Sequence, residues 1–285
     1  MDEQVQPTGT AEPTPGSEGL RPDRRTVILA GSAATAGALA WTVPSIRSVA
    51  AAQAATAAPL APFPGMAAWY DAGVGVTLSA GQVVVWGDQS GNANDATQTG
   101  DPMQQPTFVA SAINGLPALS FDGSEDVLVI PFAIDPDTAP DLTVFAVFQS
   151  NTDGFELRKL YSNDFGFDRA AGLDTRAGTN YAYFSFAGPG AEVSDYFNLV
   201  AGTPYLTVDQ WTTTSFTGTV NGTNEVSAAP VAVDGGAPFT YLGALNELGG
   251  EPWDGLIAEV IIYIGALAPA DVLQTQTYLL DKYGL

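Results

Sequence analysis

Side-chain oxygens and an aromatic ring first come together at residues 86–98, WGDQSGNANDATQ. Asp88, Asn94 and Asp95 carry oxygens of the kind that hold Ca²⁺, a cation bound by carboxylate, carbonyl and water ligands. Asp88, Ser90 and Asn92 alternate in the manner of an EF-hand loop. That loop needs Gly at its sixth position and Glu at its twelfth, where this chain has Ala93 and Thr99. A metal reading therefore rests on Asp88, Asn94 and Asp95 with backbone carbonyls. The competing expectation is that Asp and Asn close turns through their own side chains. Trp86 opens the loop with a ring that could face the apolar side of a sugar. A second stretch, 153–180, holds Tyr161, Asp164, Asp168, Arg169 and Asp174. Trp86, Asp164, Asp168 and Arg169 are accordingly the ligand-binding candidates, an aromatic platform plus polar groups that fix hydroxyls. Trp86, like Trp69, Trp211 and Trp253, also adjoins an apolar strand, so core packing competes with that role.

What the chain lacks narrows the chemistry. It contains no His and no Cys. Ser-His and Cys-His mechanisms, His-ligated zinc and thiolate sites are excluded, as is any disulfide framework. The net charge is −22, which disfavours nucleic acid, bound mainly through Lys and Arg contacts to phosphate. It equally disfavours an anionic membrane surface.

Three regions follow one another. Residues 1–23 are acidic and rich in Pro, Gly, Thr and Glu, a composition that cannot order itself by burial. Residues 24–58 begin with Arg24-Arg25, continue through a weakly apolar Ala/Gly-rich run and Arg47, and end in small residues with Ala52-Gln53-Ala54. That layout resembles a twin-arginine export signal with an A-x-A cleavage site. A membrane anchor is the alternative, since the run is about long enough to span roughly 30 Å, but its Gly, Ser, Thr and Pro44 make a poor span. Residues 59–285 form the expected folded domain, with 26 acidic residues against five basic ones, Arg158, Lys159, Arg169, Arg176 and Lys282. The implied location is secreted or cell-envelope associated, bacterial, with no membrane insertion after cleavage.

The elements that must position these residues are mostly strands. Asn114-Gly115 and Asn221-Gly222 lie between apolar runs, the strongest short hairpin signal because both residues accept positive φ. Leu142–Phe148 is a near-continuous apolar run, which predicts a central strand. Residues 181–186, 239–243 and 256–263 read as further strands. Pro269 starts a helix to about Lys282, with Asp271 and Lys282 complementing its dipole. Short strands at close spacing with turns between them predict an all-β sandwich.

Three motifs carry a family resemblance: Trp86-x-Asp88-x-Ser90-Gly91-x-x-Asn94-Asp95-Ala96, Ile113-Asn114-Gly115-Leu116-Pro117-Ala118-Leu119-x-Phe121-Asp122-Gly123, and Trp253-Asp254-Gly255-Leu256-Ile257-Ala258-Glu259. With Ala68-Trp69-Tyr70-Asp71 ahead of them and the Pro269 helix behind, residues 66–285 resemble the bacterial laminin-G-like branch of the concanavalin A-like lectin/glucanase superfamily. The resemblance implies a jelly-roll of two packed antiparallel sheets with a short C-terminal helix. It also implies a lectin-like module that binds carbohydrate or a glycan-bearing surface, with Ca²⁺ as a candidate cofactor. The glucanases of that superfamily use Glu-x-Asp-x-(x)-Glu on one strand, and no such motif occurs here. A non-catalytic module is thus the expectation. An adhesive envelope protein and a glucanase-type glycoside hydrolase are the alternatives.

Overall fold

A computed structural model describes residues 64–285 apart from 155, 164–168, 177, 188–189, 229–237 and 266. The expected acidic segment 1–23 and signal 24–58 lie outside the described residues.

The described unit is antiparallel β structure with one C-terminal helix. Its first strands are β1 (Met66–Asp71), β2 (Val76–Ser79), β3 (Gln82–Trp86), β4 (Ala96–Thr97), β5 (Thr107–Ile113), β6 (Leu116–Asp122) and β7 (Leu128–Ile130). Then come β8 (Leu142–Ser150), β9 (Arg158–Asn163), β10 (Arg169–Leu173), β11 (Tyr181–Ala187), β12 (Gly190–Phe197) and β13 (Pro204–Trp211). The chain ends with β14 (Phe216–Val220), β15 (Thr223–Ala228), β16 (Thr240–Leu242), β17 (Asp254–Ile264) and helix α1 (Pro269–Tyr283). No described helix is long and apolar enough to cross a membrane.

Pairing runs as one ladder, β15-β14-β13-β8-β17-β6-β5-β3-β4-β7-β16-β9-β10-β11-β12, with β1 added beside β17 and β2 beside β3. A single residue pair, Gln82 with Thr107, joins β3 to β5. The ladder's two ends, β12 and β15, come into contact, so the sheet nearly closes on itself. The expected two separate sheets are therefore one continuous, folded-over sheet in this structure.

Two apolar layers explain the sequence pattern. Ala146 and Phe148 of β8, Trp211 of β13 and Ile262 of β17 meet Ile130, Tyr161, Leu173 and Tyr181 from the opposite half of the ladder. Phe148 stacks on Tyr181 at 5.4 Å and meets Trp253 edge-on. On the other face, Phe145, Val147, Leu206, Ile261 and Tyr263 pack under Leu279 and Tyr283 of α1. β8 is buried on both faces, which is why it reads as a continuous apolar run rather than an alternating one. Both Asn-Gly turns adopt the positive φ that two-residue hairpins require, 50° and 84° at 114–115 and 46° and 84° at 221–222.

Candidate functional site: the charged rim

The loop at 86–98 folds as a clasp on β1. Asp88 Oδ1 accepts the N–H groups of Trp69 (2.9 Å) and Ser90 (2.8 Å). Its Oδ2 accepts Ser90 Oγ–H (2.7 Å) and the Asn94 N–H (3.0 Å). Asp95 Oδ1 accepts the Asp88 N–H, and Asn94 Nδ2 donates to the Ala67 carbonyl. Four hydrogens already point at the Asp88 carboxylate, so a cation there would face N–H and O–H dipoles of the wrong sign. This donor set does not fit Ca²⁺, and the turn-forming role explains the dense oxygens. Asp88→Ala is expected to cost about 2 kcal/mol, because part-buried donors lose their acceptor. Millimolar Ca²⁺ or EDTA should leave the wild-type unfolding midpoint in place; a rise of several degrees with Ca²⁺ would restore the metal reading.

Two ligand-binding candidates are corrected by burial. Trp86 is fully buried, its ring packed on Tyr70 at 5.6 Å, so no sugar can reach it. β3 is flanked by β2 and β4, and the ring fills the core beneath them. Arg169 is also buried: its guanidinium donates to the carbonyls of Ile134, Ala139 and Pro140 and lies 5.6 Å from the Trp211 ring centre. It ties the 131–141 loop to the sheet. Asp164 and Asp168 lie outside the described residues.

Three of the basic residues in 153–180 do assemble, at the opposite end of the strands from Arg169. Ser150 ends β8 there, Asp254 begins β17, Arg158 begins β9 and Leu173 ends β10. Lys159 Nζ lies 2.8 Å from the Glu251 carboxylate and 3.7 Å from that of Asp174. Arg176 grips Asp174 from the other side, with Nε 2.9 Å from Oδ1 and Nη2 on Oδ2. Arg158 donates to the carbonyls of Gly123 and Pro252 and pairs with Glu156. Asn151 donates to Asp254, and Asp153 caps the N–H of Ala201.

The backbone builds this rim. A bulge between Ala171 and Gly172 leaves Leu160 without a direct partner on β10 and sets Lys159 opposite Gly172, a device that re-aims side chains beside a strand end. Gly172 is required: a Cβ there would lie 2.0 Å from the Arg158 carbonyl oxygen. Glu251 adopts φ 46°, a costly conformation for a residue with a side chain, and its carbonyl accepts the Lys159 N–H at 2.8 Å.

Electrostatics fix the protonation states. Burial pushes the Asp174 carboxyl up, but hydrogen bonds from Arg176 and the charge of Lys159 outweigh it and hold it below the usual carboxylate range. Burial pulls the Lys159 ammonium down, with Glu251 and Asp174 opposing the shift. Asp126, in the neighbouring loop, is pushed up to about 7 by burial, against the hydrogen bond from the Asp122 N–H and with the charges of Asp122 and Glu125 adding to the shift. Its Oδ2 accepts the Asp122 N–H, closing the turn. The rim thus presents a cross-braced set of donors and acceptors. Arg176 is half-exposed and Glu251 partly so, with side-chain exposures of 52% and 27%.

No protein-family model matches the chain, and no curated protein matches it in sequence. Solved structures do match. Domain 4 of AbnA, a GH43 extracellular arabinanase from Geobacillus stearothermophilus in complex with arabinotriose, superposes with a TM-score of 0.55 at 17% identity, over 73% of this chain and 96% of that domain. Trypanosoma rangeli sialidase in complex with sialic acid gives 0.51 at 14% identity, over 81% of this chain and 36% of the sialidase. An arabinofuranosidase complexed with arabinofuranosyl-alpha-1,2-xylobiose gives 0.54 at 12%, over 71% and 51%. The likeness is one of fold. This chain spans nearly the whole arabinanase domain but only about a third of the sialidase and half of the arabinofuranosidase.

The rim does not show as a site in the sequence, because Lys159, Asp174 and Glu251 share no spacing. The clustering of basic residues in 153–180, in a chain otherwise short of them, is the one signal that points to it.

Proposed function

We propose that the folded unit is an exported, non-catalytic carbohydrate-binding module of the laminin-G-like kind, its folded-over sheet serving as a jelly-roll and its charged rim as the glycan site. The observation that carries this reading is the match in extent with domain 4 of the arabinanase, 96% of which this chain covers. That domain is described with an arabinotriose bound, and it is a module within a longer enzyme. One feature of this chain supports the transfer. The rim offers half-exposed donors and acceptors held in place by buried ion pairs, the preorganised polar set that a glycan's hydroxyls need. It also lies at the Asp254 end of β17, the end opposite Ile264, whose N–H the Gly65 carbonyl accepts.

A glycan array with the purified protein tests the proposal. Binding to neutral oligosaccharides is expected, unchanged by EDTA. Arg176→Lys keeps the charge but loses the planar fork, so it should weaken glycan binding about tenfold, roughly 1.4 kcal/mol, with the unfolding midpoint nearly held. An array without signal would end the glycan reading. Release of reducing sugar from a bound glycan would replace it with a hydrolase.

A further inference from the structure

A second polar group sits between the two halves of the sheet, away from the rim. On β13, Thr207 and Asp209 point to the same inner face, where alternation in a strand places every second residue. Both are fully buried. Tyr161 of β9 donates its hydroxyl to Asp209 Oδ2 at 2.5 Å, and Tyr196 of β12, which donates to the Thr219 carbonyl, also lies against Asp209. Tyr181 of β11 reaches towards Asp209 from the same side and aims its hydroxyl at that of Thr207, short of full hydrogen-bond geometry.

Three atoms in this group have no hydrogen-bond partner among the described residues: Asp209 Oδ1, Thr207 Oγ1 and Tyr181 OH. Tyr181 belongs to the buried core, stacked on Phe148. Buried polar atoms are nearly always satisfied, by protein or by ordered water. Here the three come from facing strands and include an acceptor and two hydroxyls that can both donate and accept. Across the strands Thr207 pairs with Ala146 and Val220, and Asp209 with Val144 and Gly218, none of which carries a polar side chain.

We propose that the interior holds an ordered water site, with one or two waters bridging Asp209 Oδ1, Thr207 Oγ1 and Tyr181 OH. A buried water takes about three hydrogen bonds, the number this group offers. The same donor set is poor for Ca²⁺, which takes 6–8 oxygens with several carboxylates among them. The water gives the buried carboxylate a mobile hydrogen-bonding partner where none of the side chains around it reaches Oδ1.

Oxygen-17 magnetic relaxation dispersion on the wild-type protein counts its long-lived internal waters, and a crystal structure at about 1.5 Å places them. The expected result is a water about 2.7–3.2 Å from Asp209 Oδ1 and from Thr207 Oγ1 or Tyr181 OH. Tyr181→Phe keeps the ring stacked on Phe148 and should lower the count by one or two, as should Thr207→Val. Either variant suffices if the other fails to fold. A direct bond from Oδ1 to Thr207 or Tyr181 with no water, electron density for a cation, or an unchanged water count in a folded variant would each overturn the proposal.

Discussion

Lys282→Met is expected to destabilise the protein by about 3–5 kcal/mol, the range for breaking a buried ion pair from one side. Lys282 Nζ lies 2.6 Å from Glu259 and 2.7 Å from Asp71. Glu259 is fully buried in β17, where Trp69 Nε1 donates to its Oε1 at 2.7 Å and Tyr283 OH to its Oε2 at 3.0 Å. Burial pushes the Glu259 carboxyl up while Lys282 pulls against the shift; without the ammonium, the buried carboxylate keeps the Trp69 and Tyr283 hydrogen bonds but faces the charge of Asp71 with no cation between them. The expected fall in unfolding midpoint is about 10 °C, since about 1 kcal/mol corresponds to roughly 2–4 °C at this size. The double variant Lys282→Met/Glu259→Gln separates charge from packing. The amide oxygen that replaces the carboxylate would still accept from Trp69, so at least half of the loss should return, a coupling that a double-mutant cycle measures directly. A Lys282→Met loss below about 1 kcal/mol would show that the apolar contacts of Leu279 and Tyr283 alone hold α1 to the sheet.

That pair also shows what a sequence can and cannot disclose. Lys282 reads as a residue complementing a helix C-terminus, and Glu259 as a lone acid in an apolar strand; only the pairing of β1 with β17, Asp71 opposite Glu259, makes them one unit. The strands legible in the sequence are those whose pattern is simple. β8 and β17 are apolar runs, and the Asn-Gly hairpins announce their turns. β13 escapes such a reading because its inward positions carry Thr207 and Asp209, which break the apolar alternation. β10, Arg-Ala-Ala-Gly-Leu, contains no β-branched or aromatic residue. Site residues are harder still. Trp86 precedes a polar loop whether its ring turns outward or inward, and here the core takes it. The oxygens at 88–95 are dense because a clasp on β1 needs acceptors, and a clasp and a metal loop draw on the same residue types.

Asp209→Asn should change the pH dependence of stability in a defined direction. Burial raises the Asp209 carboxyl from 3.8 to about 6, with the hydroxyls of Tyr161 and Tyr196 opposing the shift. Between about pH 4 and 6 the native protein therefore keeps a proton that the unfolded chain has released. Stability falls as pH rises wherever the native state binds more protons. For this one group the loss is on the order of 3 kcal/mol, complete above about pH 6. Asp126 acts in the same sense, and Asp174, held below its ordinary range, acts in the opposite one. The difference between variant and wild type cancels both. The amide introduced by the substitution would keep a carbonyl for the Tyr161 hydroxyl without ever ionising. Urea midpoints at pH 4, 5, 6 and 7.5 should then show the variant gaining on the wild type through pH 4–6 and holding that gain above it. A difference that stays flat would mean that Asp209 titrates in the folded protein as it does in the unfolded chain. The interior would then solvate its charge fully, although strands from both halves of the sheet close over it.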